Sequence, residues 1–203
     1  MKIVLLIIIG TLLLPFAGKA GNETDSTSRC HWLIPEHTKY QFAGNIGFLS
    51  AGFGYSYSKD KAELDLIYGY VPKTFGGPLH SVTLKNTWIP FRPIDPGKGF
   101  SFDWFTVGIP VTYTFGSQFF FLAPKDQYPA RYYDYSSALR LGLFVGGRAN
   151  YEIQNNGYFN SVGMFYEFGT YDLLLHNYIF NIGTTRFVDI FNLALGVKVG
   201  FGK

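Results

Sequence analysis

The sequence predicts an all-β fold, an antiparallel up-and-down transmembrane β-barrel of about eight strands (8–10). Three observations carry that expectation. The stretch Phe191–Phe201 places Phe191, Leu193, Leu195, Val197, Val199 and Phe201 on alternate positions. Between them lie only Asn192, Ala194, Gly196, Lys198 and Gly200. Successive strand side chains point to opposite faces, so one face of this strand is apolar and the other lacks bulk. The composition agrees: 19% aromatic residues and 24 glycines stand against only 15% charged residues. Aromatics suit interfacial girdles, and glycines suit crowded, twisted strands. Finally, the one long apolar run, Ile3 to Leu14, has 12 residues, and a helical span needs about 20.

That run follows Lys2 and precedes Ala17-Gly18-Lys19-Ala20. A charged start, an apolar core and small residues at the end predict a signal peptide over residues 1–20, cleaved after Ala20. Its removal leaves 15 of the 17 basic residues against 14 acidic ones, too even a balance to attract nucleic acid. Cys30 is the only cysteine, so an intrachain disulfide and any two-thiolate metal site are excluded. Residues 21–39 are polar and mixed and predict an irregular periplasmic leader. The barrel domain is expected over residues 40–203.

Within that domain the first strand is expected near Phe48 to Ser58, with Leu49, Ala51, Phe53, Tyr55 and Tyr57 on one face. Lys59-Asp60-Lys61 is a polar turn into the second, where Leu64, Leu66, Tyr68 and Tyr70 oppose Glu63, Asp65 and Gly69. The third, His80 to Phe91, sets Ser81, Thr83, Lys85 and Thr87 against Val82, Leu84 and Trp88, with Asn86 interrupting the apolar face. In the fourth, Phe105, Val107, Ile109, Val111, Tyr113 and Phe115 alternate with threonines, Gly108 and Pro110. The proline implies an edge, a bulge or a kink. Leu139, Leu141, Leu143 and Val145 mark the fifth. Asn155-Asn156-Gly157 reads as a hairpin turn, and Val162, Met164, Tyr166 and Phe168 mark the sixth. A seventh is expected from Tyr171 to Phe180, although Leu173-Leu174-Leu175 leaves its register open. Phe191–Phe201 is the last.

In a membrane barrel the apolar face meets lipid. The residues expected there are Phe105, Val107, Ile109, Val111, Leu193, Leu195, Val197, Val199 and Phe201. The inward faces then carry Glu63, Asp65, Glu167, Lys85, Arg140 and Lys198, three of each sign. An eight-stranded interior is only wide enough for side chains, so these charges are expected to pair in a network that fills it. Parity raises a difficulty. With both ends of the barrel periplasmic, the long connection from Gly116 to Ser136 falls on the side where turns are short. Either the strand count is off, or Phe119 to Leu122 adds a strand.

The alternating strands and the near-terminal Leu193-Ala194-Leu195-Gly196-Val197-Lys198-Val199-Gly200-Phe201 resemble small bacterial outer-membrane barrels of the OmpA/OmpX type. The resemblance implies a Gram-negative outer-membrane location, contact with outer-membrane lipid or lipopolysaccharide, and insertion by the barrel-insertion machinery. Family members end on the aromatic, whereas Gly202-Lys203 follow here.

The leading functional expectation is a non-enzymatic integral barrel acting structurally or through its loops, without cofactor or metal. The alternative is a lipid-modifying enzyme of the lipid A deacylase or acyltransferase type. Such an enzyme would use His176 with Asp172, which share a strand face at even spacing, and Ser161 or Ser81. A third reading is a soluble exported barrel binding an apolar ligand. There is no P-loop, dinucleotide fingerprint, G-x-S-x-G elbow or paired-histidine metal spacing.

Overall fold

The computed structural model describes residues 34–75, 77–121, 136–153, 158–181 and 186–202. The expected signal peptide, Cys30, most of the leader, Leu122, and the turns at Asn155-Asn156-Gly157 and Gly183-Thr184-Thr185 lie outside the described residues.

The described residues form nine strands: β1 (His37–Ala43), β2 (Leu49–Tyr57), β3 (Ala62–Val71), β4 (Leu79–Trp88), β5 (Ile94–Gly97), β6 (Phe100–Phe115), β7 (Leu139–Glu152), β8 (Phe159–Tyr171) and β9 (Asn192–Phe201). Eight of them form a closed antiparallel barrel. Each pairs with its neighbour in the chain, β4 pairs with β6, and β1 closes on β9 from His37↔Gly200 to Ala43↔Ala194. The ninth, β5, folds back on β6 at the rim.

Three elements differ from the sequence expectation, one of them β5, which lies between the expected third and fourth strands where the sequence reads as a Pro/Gly turn. The segment expected as a seventh strand is helix α1 (Asp172–Phe180). Three consecutive leucines cannot alternate between faces, whereas Leu174 with Tyr178 and Leu175 with Ile179 are i, i+4 neighbours of a helix. The Asp172 carboxylate accepts the Leu173 N–H at 2.8 Å in its first turn. The eighth barrel strand is instead β1, which begins inside the stretch expected as leader. Its alternation is present, but its inward set is His37, Lys39 and Gln41, all buried, while Tyr40 and Phe42 are exposed. Charged residues on alternate positions mask a strand when burial is assumed to be apolar.

The added strand also settles parity. The short turn of residues 58–61 lies at the end where β1 starts and β9 finishes. The two longest connections, from Phe115 to Leu139 and from Tyr171 to Asn192, leave from and return to strand ends at the opposite, far end. Phe119 to Phe121 is not a strand.

Charge is buried and hydrocarbon exposed. Glu63, Asp65, Thr83, Lys85 and Asp103 are buried on inward faces, whereas Leu66, Phe53, Leu143, Val145, Leu193 and Leu195 are exposed on outward ones. Of the other outward positions expected from sequence, Val107, Ile109, Val111, Val197, Val199 and Phe201 are half-buried. Phe105 sits beside a bulge between Asp103 and Thr106. The bulge switches β6 parity, so that Phe102 and Trp104 face outward before it and Val107 after it. Pro110 lies inside β6, and the pairing with β7 passes over Ile109 and Pro110 between Gly108↔Phe144 and Val111↔Leu141. A residue without an N–H leaves such a gap.

Asn86, the polar interruption of the apolar face, is buried, and its side-chain oxygen accepts the Tyr57 hydroxyl at 2.9 Å. Removing one partner of a buried hydrogen bond costs more than removing both. Tyr57→Phe is therefore expected to destabilise the barrel by about 1–3 kcal/mol. Tyr57→Phe with Asn86→Leu should recover most of that loss, read as urea unfolding midpoints of the refolded protein. Equal losses in the single and double variants would show that the pair carries no weight.

Candidate functional site: the buried charge cluster

The inner face of β2 is nearly bare, with Gly52 and Gly54 at successive inward positions. A side chain at Gly54 would overlap the Asp65 carboxylate and the His37 ring. Through this opening His37 and Lys39 of β1 reach over β2 to the carboxylates of β3. His37 Nε2 lies 2.7 Å from Asp65 Oδ1, and Lys39 donates to Asp65 Oδ2 at 2.6 Å and to Glu63 Oε2 at 2.7 Å.

Glu63 is the hub. Its other oxygen, Oε1, accepts Arg148 of β7 at 2.6 Å and Lys198 of β9 at 2.5 Å. Arg148 extends the chain of pairs to Asp103 of β6, with its Nη2 at 2.7 Å and its Nε at 2.8 Å from Oδ2, where Asn150 also donates at 3.2 Å. Lys39, Arg148 and Lys198 thus set three positive charges against the carboxylates of Glu63, Asp65 and Asp103. Five strands meet in this cluster.

A second pair lies farther along the interior. Lys85 donates to Glu167 of β8 at 2.6 Å, with the Phe144 and Phe165 ring centres 4.6 and 5.4 Å from its Nζ. Lys85 is the register partner of Asp65 on the neighbouring strand, yet its ammonium crosses the interior instead, because Lys39 and His37 already occupy Asp65. Beyond it Thr83 and Thr112 share a hydrogen bond of 2.8 Å. Residues 44–48 then turn into the far mouth. Ile46 is buried, its carbonyl accepts the Ser81 hydroxyl at 2.7 Å, and the Asn45 carbonyl accepts the Tyr171 hydroxyl. A cavity of about 20 Å³ remains beside Lys85 and Glu167, room for about one water.

Of the six charged residues read as inward from sequence, five enter these pairs. Arg140 does not; its guanidinium lies 3.8 Å from Asp172 at the start of α1. Four members escape sequence reading. His37 and Lys39 sit in the supposed leader, although their alternation with Tyr40 and Phe42 is a usable signal. Arg148 continues the alternation of Arg140, Gly142, Phe144 and Gly146 along β7, which is also a usable signal, whereas Asp103 has none, since the bulge hides which face of β6 turns inward.

The candidate catalytic residues are not brought together. Ser161 opens β8 and His176 follows its far end; eleven residues of strand separate Ser161 from Asp172, roughly 36 Å at the usual rise. Ser161 bonds Asn160 at 3.1 Å, Asp172 accepts the Leu173 N–H of its own helix, and the His176 ring packs on Phe180 with centres 4.3 Å apart. Ser81 is committed to Ile46. Ligand atoms of His37, Glu63 and Asp65 lie within 4.8 Å of one another, the spacing of a metal site. Their oxygens, however, already take Lys39, Arg148 and Lys198. Three ammonium or guanidinium groups at this range repel a divalent cation, and the residues fit an ion-pair cluster instead.

Outside the barrel wall, Arg186 hydrogen-bonds Asp189 at 3.1 Å and holds its carboxyl below the usual range. Both side chains are exposed.

A scan against protein-family models finds no match, and no curated protein matches the chain.

Breaking a buried ion pair from one side strands a charge and costs about 3–5 kcal/mol. Glu63→Gln is expected to lose that much in urea unfolding, because it leaves three cations facing a neutral amide. Arg186→Ala, at the exposed pair, should leave the midpoint unchanged. Equal effects of the two variants would mean that Glu63 is not the hub.

Proposed function

We propose that the chain is a non-enzymatic integral barrel of the bacterial outer membrane, exported by a cleaved N-terminal signal and inserted by the barrel-insertion machinery. In this reading the ion-paired interior plugs the barrel, and the far-end loops face the outside and carry any interaction.

One observation carries the proposal: polarity is inverted, with buried charges inside a wall of exposed hydrocarbon. Aromatic groups flank that wall at both ends. Phe91 stacks on Trp104 (4.5 Å between ring centres), and Phe100 packs on Tyr151 (4.8 Å) near the β1 start. At the far end Phe42 packs on Phe48 (5.0 Å) and Tyr113 on Phe115 (5.1 Å). Along β6 the eleven residues from Phe102 to Tyr113, at the usual strand rise and barrel tilt, separate these belts by roughly 28 Å. An outer-membrane barrel presents an apolar band of about 25 Å between aromatic girdles. A water-soluble barrel has no use for such a wall.

The filled interior argues against a pore, since open channels belong to larger barrels, and the mouth closed by Ile46 adds to that argument. A lipid-modifying activity finds no support in the positions of Ser161, Asp172 and His176. The far-end placement of the long connections matches the outward side of such barrels.

Two measurements test the proposal. Unboiled protein from outer-membrane fractions should migrate differently in gels from boiled protein. Val145→Arg, mid-wall, should cost about 2–4 kcal/mol in vesicles, and Val162→Arg, nearer the end, about 0–1 kcal/mol. If neither arginine affected folding, the wall would face water. The lipid profile of cells with and without the protein should be identical by mass spectrometry; a shift by one acyl chain would overturn the non-enzymatic reading.

A further inference from the structure

The far end carries a helix whose burial the barrel does not supply. Helix α1 contains Leu173, Leu174, Leu175, Tyr178, Ile179 and Phe180 among its nine residues, and none of its residues is buried. The apolar residues are spread around the helix, with no polar face opposite an apolar one. A helix that is apolar all round belongs in a protein core or in hydrocarbon. Here Phe180 is 72% exposed and Ile179 54%. The single turn of 3₁₀ helix at Phe187–Ile190 repeats the pattern: Ile190 is buried, while Phe187 (58%) and Val188 (75%) point away. An exposed apolar surface of this kind marks a protein or membrane contact.

The surroundings favour lipid. These two elements connect β8 to β9, whose outward side chains nearest the helix, Phe168 and Leu193, are themselves exposed and belong to the wall. The exposed apolar surface of the wall at Phe168 and Leu193 thus adjoins that of the helix. The charged groups of this segment are paired within the chain. Asp172 faces Arg140 of the interior, and Arg186 and Asp189 bond each other. Tyr166 and Phe168, outward aromatics of β8 that precede the helix in the chain, pack together (6.1 Å between ring centres).

We propose that α1 and the Phe187–Ile190 turn are seated in the lipid interface, with Phe180 and Val188 inserted at the boundary between headgroups and acyl chains. They would form a side anchor that extends the apolar wall on one flank of the barrel. This inference rests on the membrane reading proposed above, and it adds a lipid contact outside the strands.

The test uses the full chain with Cys30→Ser, carrying a single nitroxide at Phe180→Cys or Val188→Cys, in phosphatidylcholine vesicles. Val145→Cys and Lys59→Cys serve as wall and water references. Collision with oxygen and with a water-soluble nickel chelate is read by power saturation. The expected result is that Phe180 and Val188 favour oxygen, as Val145 does, with an oxygen-to-nickel ratio several-fold above that at Lys59. Nickel access like that at Lys59, with Val145 still favouring oxygen, would overturn the inference and leave the membrane barrel standing. Low access to both probes would also overturn it, pointing to a second copy or a protein partner. Nickel access at Val145 itself would bring down the barrel reading and the anchor together.

Discussion

Glu63 takes three cations from three different strands, and most of the interior is arranged around that fact. A carboxylate this deeply buried is costly unless its oxygens are filled. Lys39, Arg148 and Lys198 fill them, coming from β1, β7 and β9. These strands and β3 are widely separated in sequence but adjacent or facing in the closed barrel. The pairs therefore exist only when the sheet has closed in its correct order. The bare inner face of β2 is part of the same arrangement, because any side chain at Gly54 would close the opening through which β1 reaches β3.

Such a cluster is weak as a source of net stability. Attraction between buried charges is largely spent on removing them from water, and an apolar interior of the same volume is often as stable. Its better-founded role here is register. A one-residue slip of any strand sends its whole inward set to the outer face. For β1 that would put His37 and Lys39 outside and strand Glu63 and Asp65 inside. A wall and an interior that are both apolar would have no such penalty, so the inverted polarity itself selects one alignment.

The strands with clean alternation were legible in sequence, since period 2 survives whichever face is buried. The terminal strand, β3, β7 and β8 were recognisable from Leu193–Phe201, Leu64–Tyr70, Leu139–Val145 and Val162–Phe168. What stayed hidden has physical causes. β1 carries its charges inward, so its composition reads as a solvated leader. α1 was given strand geometry because helix and strand compete for short apolar runs, and three leucines in a row satisfy either until neighbours decide. The Asp103–Arg148 pair depends on a bulge that reverses the facing of β6, and nothing in the local sequence marks it. Lys85 is legible as inward, but its pairing with Glu167 rather than the adjacent Asp65 accompanies the occupation of Asp65 by Lys39 and His37, a three-body outcome no pairwise pattern contains.

The two ends of the barrel differ in a way that follows from the same constraint. At the far end the turn of residues 44–48 folds inward, so the backbone carbonyls of Asn45 and Ile46 need donors, and Tyr171 and Ser81 supply them. Among the described residues that closure leaves a cavity of about 20 Å³, room for about one water. Residues of α1 are then apolar for a reason other than plugging the barrel, since none of them enters it. A segment that rests on β7, β8 and the Phe187–Ile190 turn without burying any of its own residues keeps its hydrocarbon only where the surroundings are also apolar, and the wall beside Phe168 and Leu193 is such a place.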